Sequence, residues 1–207
     1  MPLGAHLDPT LLRDVTLGAV DALLLVDVQN DFLPGGSLAV SRGDEVVPAL
    51  TRYLAAFQSR GLPIFATRDW HPPNHCSFRG QGGPWPPHCV AGSAGAQFPS
   101  SLPLPPSTVV ITLKGTEPDR DAYSGFDRTD LDARLRAAGV RRLFIGGLAT
   151  DYCVLWTVKD ALKLGYSVLL LMDAIRAVNV HPDDGRKAED EMIRLGAVPV
   201  RLERAAG

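Results

Sequence analysis

Short runs of apolar and β-branched residues recur along the chain at residues 22–28, 63–67, 108–113, 142–148, 167–172 and 197–200, each bounded by Gly, Pro or charged residues. Runs of this length without polar alternation predict strands buried on both faces. Between several of them the apolar period changes to that of a helix. Residues 44–60 place Val46, Val47, Leu50, Leu54 and Phe57 on one face, carry Pro48 in the first turn and end at Gly61, as helix start and stop chemistry requires. Further helices are predicted from an N-cap at Thr129 to Gly139, over about 151–164 before Gly165, and after Pro182 as far as Gly196.

Strand and helix therefore alternate, which predicts an α/β fold with three layers, α/β/α, around a mostly parallel sheet of about six strands. In such folds ligands bind at the carboxyl ends of the strands. Residues 69–107 break the alternation. This stretch is rich in Pro, Gly, Ser and His and is too long for an ordinary connector, so it reads as a functional loop. The first twenty residues carry little pattern and read as an N-terminal extension (1–20), leaving 21–207 as a single domain.

Composition narrows the function classes. The 207 residues carry 21 basic and 23 acidic side chains, a formal charge of −2. These charges are interspersed, leaving no footprint for nucleic acid or an anionic membrane. The three cysteines, Cys76, Cys89 and Cys153, form an odd and sparse set that suits a reducing compartment. With no signal-like N-terminus and no membrane-length apolar run, the expected location is the cytoplasm. A small-molecule substrate is expected, and the helix-rich surface permits homo-oligomers.

The chemistry lies at the predicted strand ends. The first strand ends at Asp27, the second at Asp69-Trp70-His71, the third at Lys114-Gly115, and the fourth runs into Ala149-Thr150-Asp151-Tyr152-Cys153. Cys153 would sit in the first turn of a helix capped by Thr150 or Asp151, where backbone N–H groups and the helix dipole lower a thiol pKa. A nucleophilic thiol needs a base and an orienting group. Asp27 and Lys114 are the candidates, Lys114 being one of four lysines beside seventeen arginines and the one at a strand end. His71, His75 and His88 lie within eighteen positions of one another, together with Asp69. A mixed carboxylate and imidazole set suits zinc, iron or manganese. Cys76 and Cys89 read as packing residues.

Taken together, Asp-Val-Gln-Asn-Asp-Phe with the following Pro-Gly-Gly-Ser-Leu, Asp-Trp-His-Pro-Pro-Asn-His, Trp-Pro-Pro-His-Cys-Val, Lys-Gly, Ala-Tyr-Ser-Gly-Phe and Ala-Thr-Asp-Tyr-Cys-Val resemble the nicotinamidases (pyrazinamidases) of the isochorismatase-like cysteine hydrolase superfamily. The likeness runs in order from about Ala22 to Val200. It implies a catalytic triad of Asp27, Lys114 and Cys153, and one divalent metal ion, zinc with iron or manganese as alternatives, on Asp69, His71 and His88. It leaves the rest of the metal shell open between His75 and water. It further implies a cis Leu148–Ala149 peptide, an oxyanion hole from the Ala149 and Cys153 amides, and a ring pocket lined by Phe32, Trp85 and Tyr123. Tyr152 stands where other members carry His. The implied activity is hydrolysis of nicotinamide, and of pyrazinamide, to the acid and ammonia. The alternatives are another small-amide hydrolase of the carbamoylsarcosine or ureidoacrylate type, or a metal-binding protein without catalysis.

Overall fold

A computed structural model describes residues 15–201; residues 1–14 of the segment read as an extension lie outside it. Six strands, β1 (Asp21–Val26), β2 (Ile64–Asp69), β3 (Val109–Lys114), β4 (Arg142–Leu148), β5 (Ser167–Arg176) and β6 (Val198–Val200), form one sheet in the order β3-β2-β1-β4-β5-β6. Every neighbouring pair is parallel. Four helices cover it: α1 (Val46–Gln58), α2 (Leu131–Ala137), α3 (Leu155–Lys163) and α4 (Asp184–Arg194).

The unbroken apolar runs have a direct structural cause. All six residues of β1 are buried, because alternate side chains enter different cores. Leu23 and Leu25 join Leu50, Leu54 and Phe57 of α1 on one face. Ala22, Leu24 and Val26 join Leu131 and Leu135 of α2, Val158 of α3 and Met192 of α4 on the other. Each such leucine contributes about 2 kcal/mol by leaving water. Among the described residues no helix is long and apolar enough to cross a membrane.

Two expected boundaries move. The first concerns β5, which runs on to Arg176 past the polar Asp173, where the apolar pattern alone predicts an end at 172. Asp173 is tolerated because its carboxylate accepts bonds from Tyr53 (2.8 Å) and Arg52 (3.0 Å) of α1. The second concerns α2, whose N-cap position is Asp130 and not Thr129. The Thr129 hydroxyl nevertheless accepts the Leu131 amide (3.3 Å) while donating to the Gly125 carbonyl (2.6 Å).

The strand order places the site. From β1 the chain steps outward to β2 and β3, then returns to lay β4 against the other side of β1. The carboxyl ends of β1 and β4 therefore flank a topological switch point, where loops part and leave a crevice. No α-helix fills the connection from β2 to β3, which carries only a single 3-10 turn at Arg79–Gln81. This loop is held instead to the end of β2 by His71 N–H to Cys89 O (3.0 Å) and Ala91 N–H to His71 O (2.8 Å), which brings His88 back beside His71.

Candidate active site

Three strand ends and one turn meet at Lys114. Its ammonium is fully buried, donates to an Asp69 carboxylate oxygen and to the Cys153 sulfur at 3.4 Å, and lies 3.0 Å from Asp27 Oδ2. Burial opposes charge on this lysine, but Asp27 and Asp69 outweigh it and hold its pKa well above the ordinary value. Burial also opposes ionisation of Asp69, and there Lys114 and His71 win, keeping the carboxylate charged. For Asp27 burial prevails over Lys114 and its pKa rises. One Asp27 oxygen accepts from the Thr67 hydroxyl at 2.7 Å. The other, Oδ2, pairs with the ammonium and lies beside the Cys153 thiol.

Cys153 departs from expectation in its acidity. Burial pushes the thiol well above its usual pKa; Lys114 pulls it down, and the neighbouring carboxylates push it up again. The predicted lowering by a helix N-terminus is overridden because the thiol is walled off from water; the turn that carries it is a π-turn, Thr150–Val154, that runs directly into α3 at Leu155. A neutral thiol requires a base, and Asp27 supplies one, since its carboxylate and the Cys153 sulfur have ligand atoms within 4.8 Å of each other.

The backbone before Cys153 is shaped by glycine. Gly147 has φ +132°, and a Cβ there would lie 2.0 Å from the Val26 carbonyl oxygen, so no other residue lets β4 pass the end of β1. The Leu148–Ala149 peptide is cis, as the family resemblance implies. Ala149 then occupies the N-cap position, displacing Thr150 and Asp151 from that expected role. Asp151 is used otherwise. Its two carboxylate oxygens accept the Val178 (2.9 Å) and Asn179 (2.8 Å) amides, drawing the loop after β5 against the nucleophile turn.

Asp69, His71 and His88 offer ligand atoms within 4.8 Å of one another, all buried. Each histidine is oriented for ligation. His71 Nδ1–H donates to Gly115 O and His88 Nδ1–H to Pro86 O, both at 2.8 Å, which leaves each Nε2 as the free ligand. Burial keeps His88 neutral by lowering its pKa. Burial also opposes charge on His71, but Asp69 overrides it and raises the pKa. The trio thus attracts positive charge, and proton and metal compete for it. A divalent metal ion fits these donors. His75 does not join them: its Nδ1 accepts from Ser77 Oγ (2.7 Å), its Nε2–H donates to Arg120 O (3.0 Å), and it stacks on His71 at 4.2 Å. With both ring nitrogens engaged, His75 offers no free ligand atom to the Asp69, His71 and His88 cluster. A second possible trio, Asp27, Asp69 and Cys153, surrounds the Lys114 ammonium and has no room for an ion.

Gly115 supports this arrangement. It has φ +65°, and a Cβ would meet the His71 ring at 2.5 Å. Gly115→Ala is expected to lower stability by about 2 kcal/mol and to reduce metal content below that of the wild type; thermal melting and metal analysis on the same samples check both.

Phe32, Trp85 and Tyr123 come together with His88, Ala149 and Cys153 around one cavity. Phe32 lies 5.7 Å from the His88 ring, and Trp85 Nε1–H donates to Tyr123 OH at 3.3 Å.

Comparison with known proteins agrees with this geometry. The isochorismatase domain model matches residues 21–203. The chain belongs to the isochorismatase family. Among relatives of this family, a nicotinamidase of Escherichia coli (strain K12) is 44% identical over 197 residues, covering 85% of this chain and 92% of that protein. The solved structure of a pyrazinamidase of Pyrococcus horikoshii in complex with zinc has a TM-score of 0.84 and 49% identity, covering 88% of this chain and 99% of that one. PnC1 of L. infantum in complex with nicotinate has a TM-score of 0.83 and 40% identity, covering 90% and 96%.

Within this isochorismatase-family site several residues escape sequence reasoning. Gln29 Nε2 donates to Asp69 O (2.9 Å), and its Oε1 accepts the Asp69 amide (2.8 Å), so this side chain holds the end of β2 in place. Thr67 orients Asp27. Leu38 and Val178 line the cavity. Gln29 and Leu38 sit inside the motif strings and were findable there. Val178 lies in a segment with no motif, and only its amide bond to Asp151 brings it in.

Proposed function

We propose that this chain is a nicotinamidase, which hydrolyses the carboxamide of nicotinamide to nicotinate and ammonia. The observation that carries the reading is the position of one thiol between a buried ammonium–carboxylate pair and a carboxylate–imidazole trio, facing a pocket walled by aromatic rings. Relatives that bear this activity in name support it. Pyrazinamide, which differs from nicotinamide by one ring nitrogen, is expected to be accepted.

Cys153 is the nucleophile. Asp27 Oδ2 takes the thiol proton, and the sulfur attacks the carboxamide carbon. The amides of Ala149 and Cys153 receive the negative oxygen of the tetrahedral intermediate, each donor contributing about 3 kcal/mol. Asp27 returns the proton to the amine, which departs as ammonia as the C–N bond breaks, and the acyl group remains on Cys153 as a thioester. A water then gives its proton to Asp27 and attacks the thioester, releasing nicotinate; the same proton restores the thiol. Lys114 keeps Asp27 in place and offsets its charge throughout, without covalent chemistry. Phe32, Trp85 and Tyr123 hold the ring so that the amide carbon stays within reach of the sulfur. Asp69, His71 and His88 would hold one zinc ion, a metal suited to one oxygen and two nitrogen donors. When bound, it supplies a Lewis-acid anchor for the pyridine nitrogen.

Ammonia release from nicotinamide by the purified, metal-analysed protein tests the reading. No release by metal-loaded protein that hydrolyses N-carbamoylsarcosine or ureidoacrylate would transfer the site to those amides. For the metal trio, His88→Ala is expected to lose bound metal and to lower kcat/KM about 100-fold or more, while Cys153 still reacts with a small alkylating agent. Full metal content with wild-type turnover in this variant would exclude His88 from the shell.

A further inference from the structure

Tyr152 belongs to two cavities at once. It lines the pocket that holds Cys153, Trp85 and Tyr123. It also lines an outer cleft with Asp151, Asp184, Lys187 and Glu191. The inner cavity is walled mainly by aromatic and aliphatic side chains, the outer one mainly by charged groups, and the half-buried Tyr152 stands between them. Its ring is fixed there by two neighbours. It meets Trp85 edge-on at 5.0 Å and 83° and Tyr123 at 5.5 Å and 50°, geometries that aromatic pairs favour. Trp85 and Tyr123 are bonded to each other. Three rings from three separate segments thus form one continuous wall on the side of the pocket that would hold a substrate ring.

The outer cleft has no role in the chemistry derived above. Its charged groups are largely paired, Lys187 with Asp184 inside the cleft at 3.5 Å and Glu191 with Lys159 outside it at 2.8 Å. It is a space beside the site, and Tyr152 is the side chain that lines both.

We propose that Tyr152 is a specificity-determining residue, a partition that confines the reaction to aromatic primary carboxamides without a ring substituent. Since its ring packs on the residues that hold the substrate ring, a substituent on that ring collides with Tyr152. With the ring removed, the same substituent extends into the cleft bounded by Asp184 and Lys187. This inference rests on the nicotinamidase reading and names what sets the substrate range of that site.

The test compares nicotinamide with nicotinamides bearing an alkyl or aryl group at successive ring positions, using wild type, Tyr152→Phe and Tyr152→Ala. Wild type and Tyr152→Phe are expected to reject the substituted amides. Tyr152→Ala is expected to raise the kcat/KM ratio of at least one substituted amide over nicotinamide by about tenfold or more, the usual scale of one pocket contact. Calorimetric binding of the corresponding substituted and unsubstituted nicotinic acids gives the same ratio without turnover, so a slow variant still reports. An unchanged ratio in Tyr152→Ala across the whole series overturns the proposal, as does wild-type acceptance of the substituted amides on a par with nicotinamide. Absence of ammonia release from nicotinamide itself by the metal-loaded wild type is a different result: it removes the functional reading, and the partition with it.

Discussion

Replacing Cys153 by alanine is expected to lower turnover of nicotinamide by about 10⁴-fold or more, the scale seen when the nucleophile of a catalytic unit is removed. The change deletes one sulfur atom and little else. Lys114 keeps its contacts with Asp27 and Asp69, and Asp69, His71 and His88 do not depend on the thiol for their orientation. The variant should therefore fold, melt close to the wild type and bind metal to the same extent. The remaining thiols cannot substitute for it. Cys89 is buried with its pKa pushed up by that burial, and Cys76 lies beside Asp119 and Asp121, away from the pocket. Ammonia release and metal content measured on both proteins decide the matter: turnover within about tenfold of wild type would exclude the covalent route.

The second large effect is on stability. Lys114→Met is expected to cost about 3–5 kcal/mol, because it leaves two buried carboxylates facing each other without the cation between them. For a chain of this size that corresponds to a melting temperature lower by about 6–20 °C. Lys114 and Asp69 are stabilised in their charged forms. The raised lysine pKa contributes stability throughout the range below its unfolded value, and the depressed Asp69 contributes above the ordinary carboxylate range. The deficit of the variant should then be largest near neutrality and shrink as pH falls through the carboxylate range, where protonated carboxyls no longer need the ammonium. Adding Asp27→Asn should restore part of the loss, since one of the two charges is gone. Melting curves of the single and double variants across pH measure this. An equal melting temperature for wild type and Lys114→Met at neutral pH would show that the carboxylates do not require their partner.

Much of this site was readable before any fold was known. Asp27, Asp69, Lys114 and Cys153 each follow or close an apolar run, so the pattern that marks the strands also marks their ends. What the pattern lacked was the second layer of support. Gln29 and Thr67 look like ordinary polar residues in strand and loop, and they acquire a role only when β1 and β2 lie side by side. His75 resembles a ligand as closely as His88 does until Ser77 and Arg120 are seen to occupy both its nitrogens. Asp151 matched the chemistry of a helix cap, yet Ala149 takes that position and Asp151 reaches across to Val178 and Asn179.

The sequence by itself determined the succession of strands and helices, the parallel sheet that follows from their alternation, and the identity of the chemical groups at the strand ends, because each of these depends on spacing within a few residues. The tertiary structure decided the acidity of the groups and which of the loop histidines keeps a ring nitrogen free beside Asp69. A pKa is the balance between burial and charges from distant segments, and the sign of that balance for Cys153 is opposite to the one its local turn suggests. Which nitrogen of a histidine is free depends on a carbonyl forty-four residues away for His71 and two away for His88. For His71, only folding brings the Gly115 carbonyl within reach.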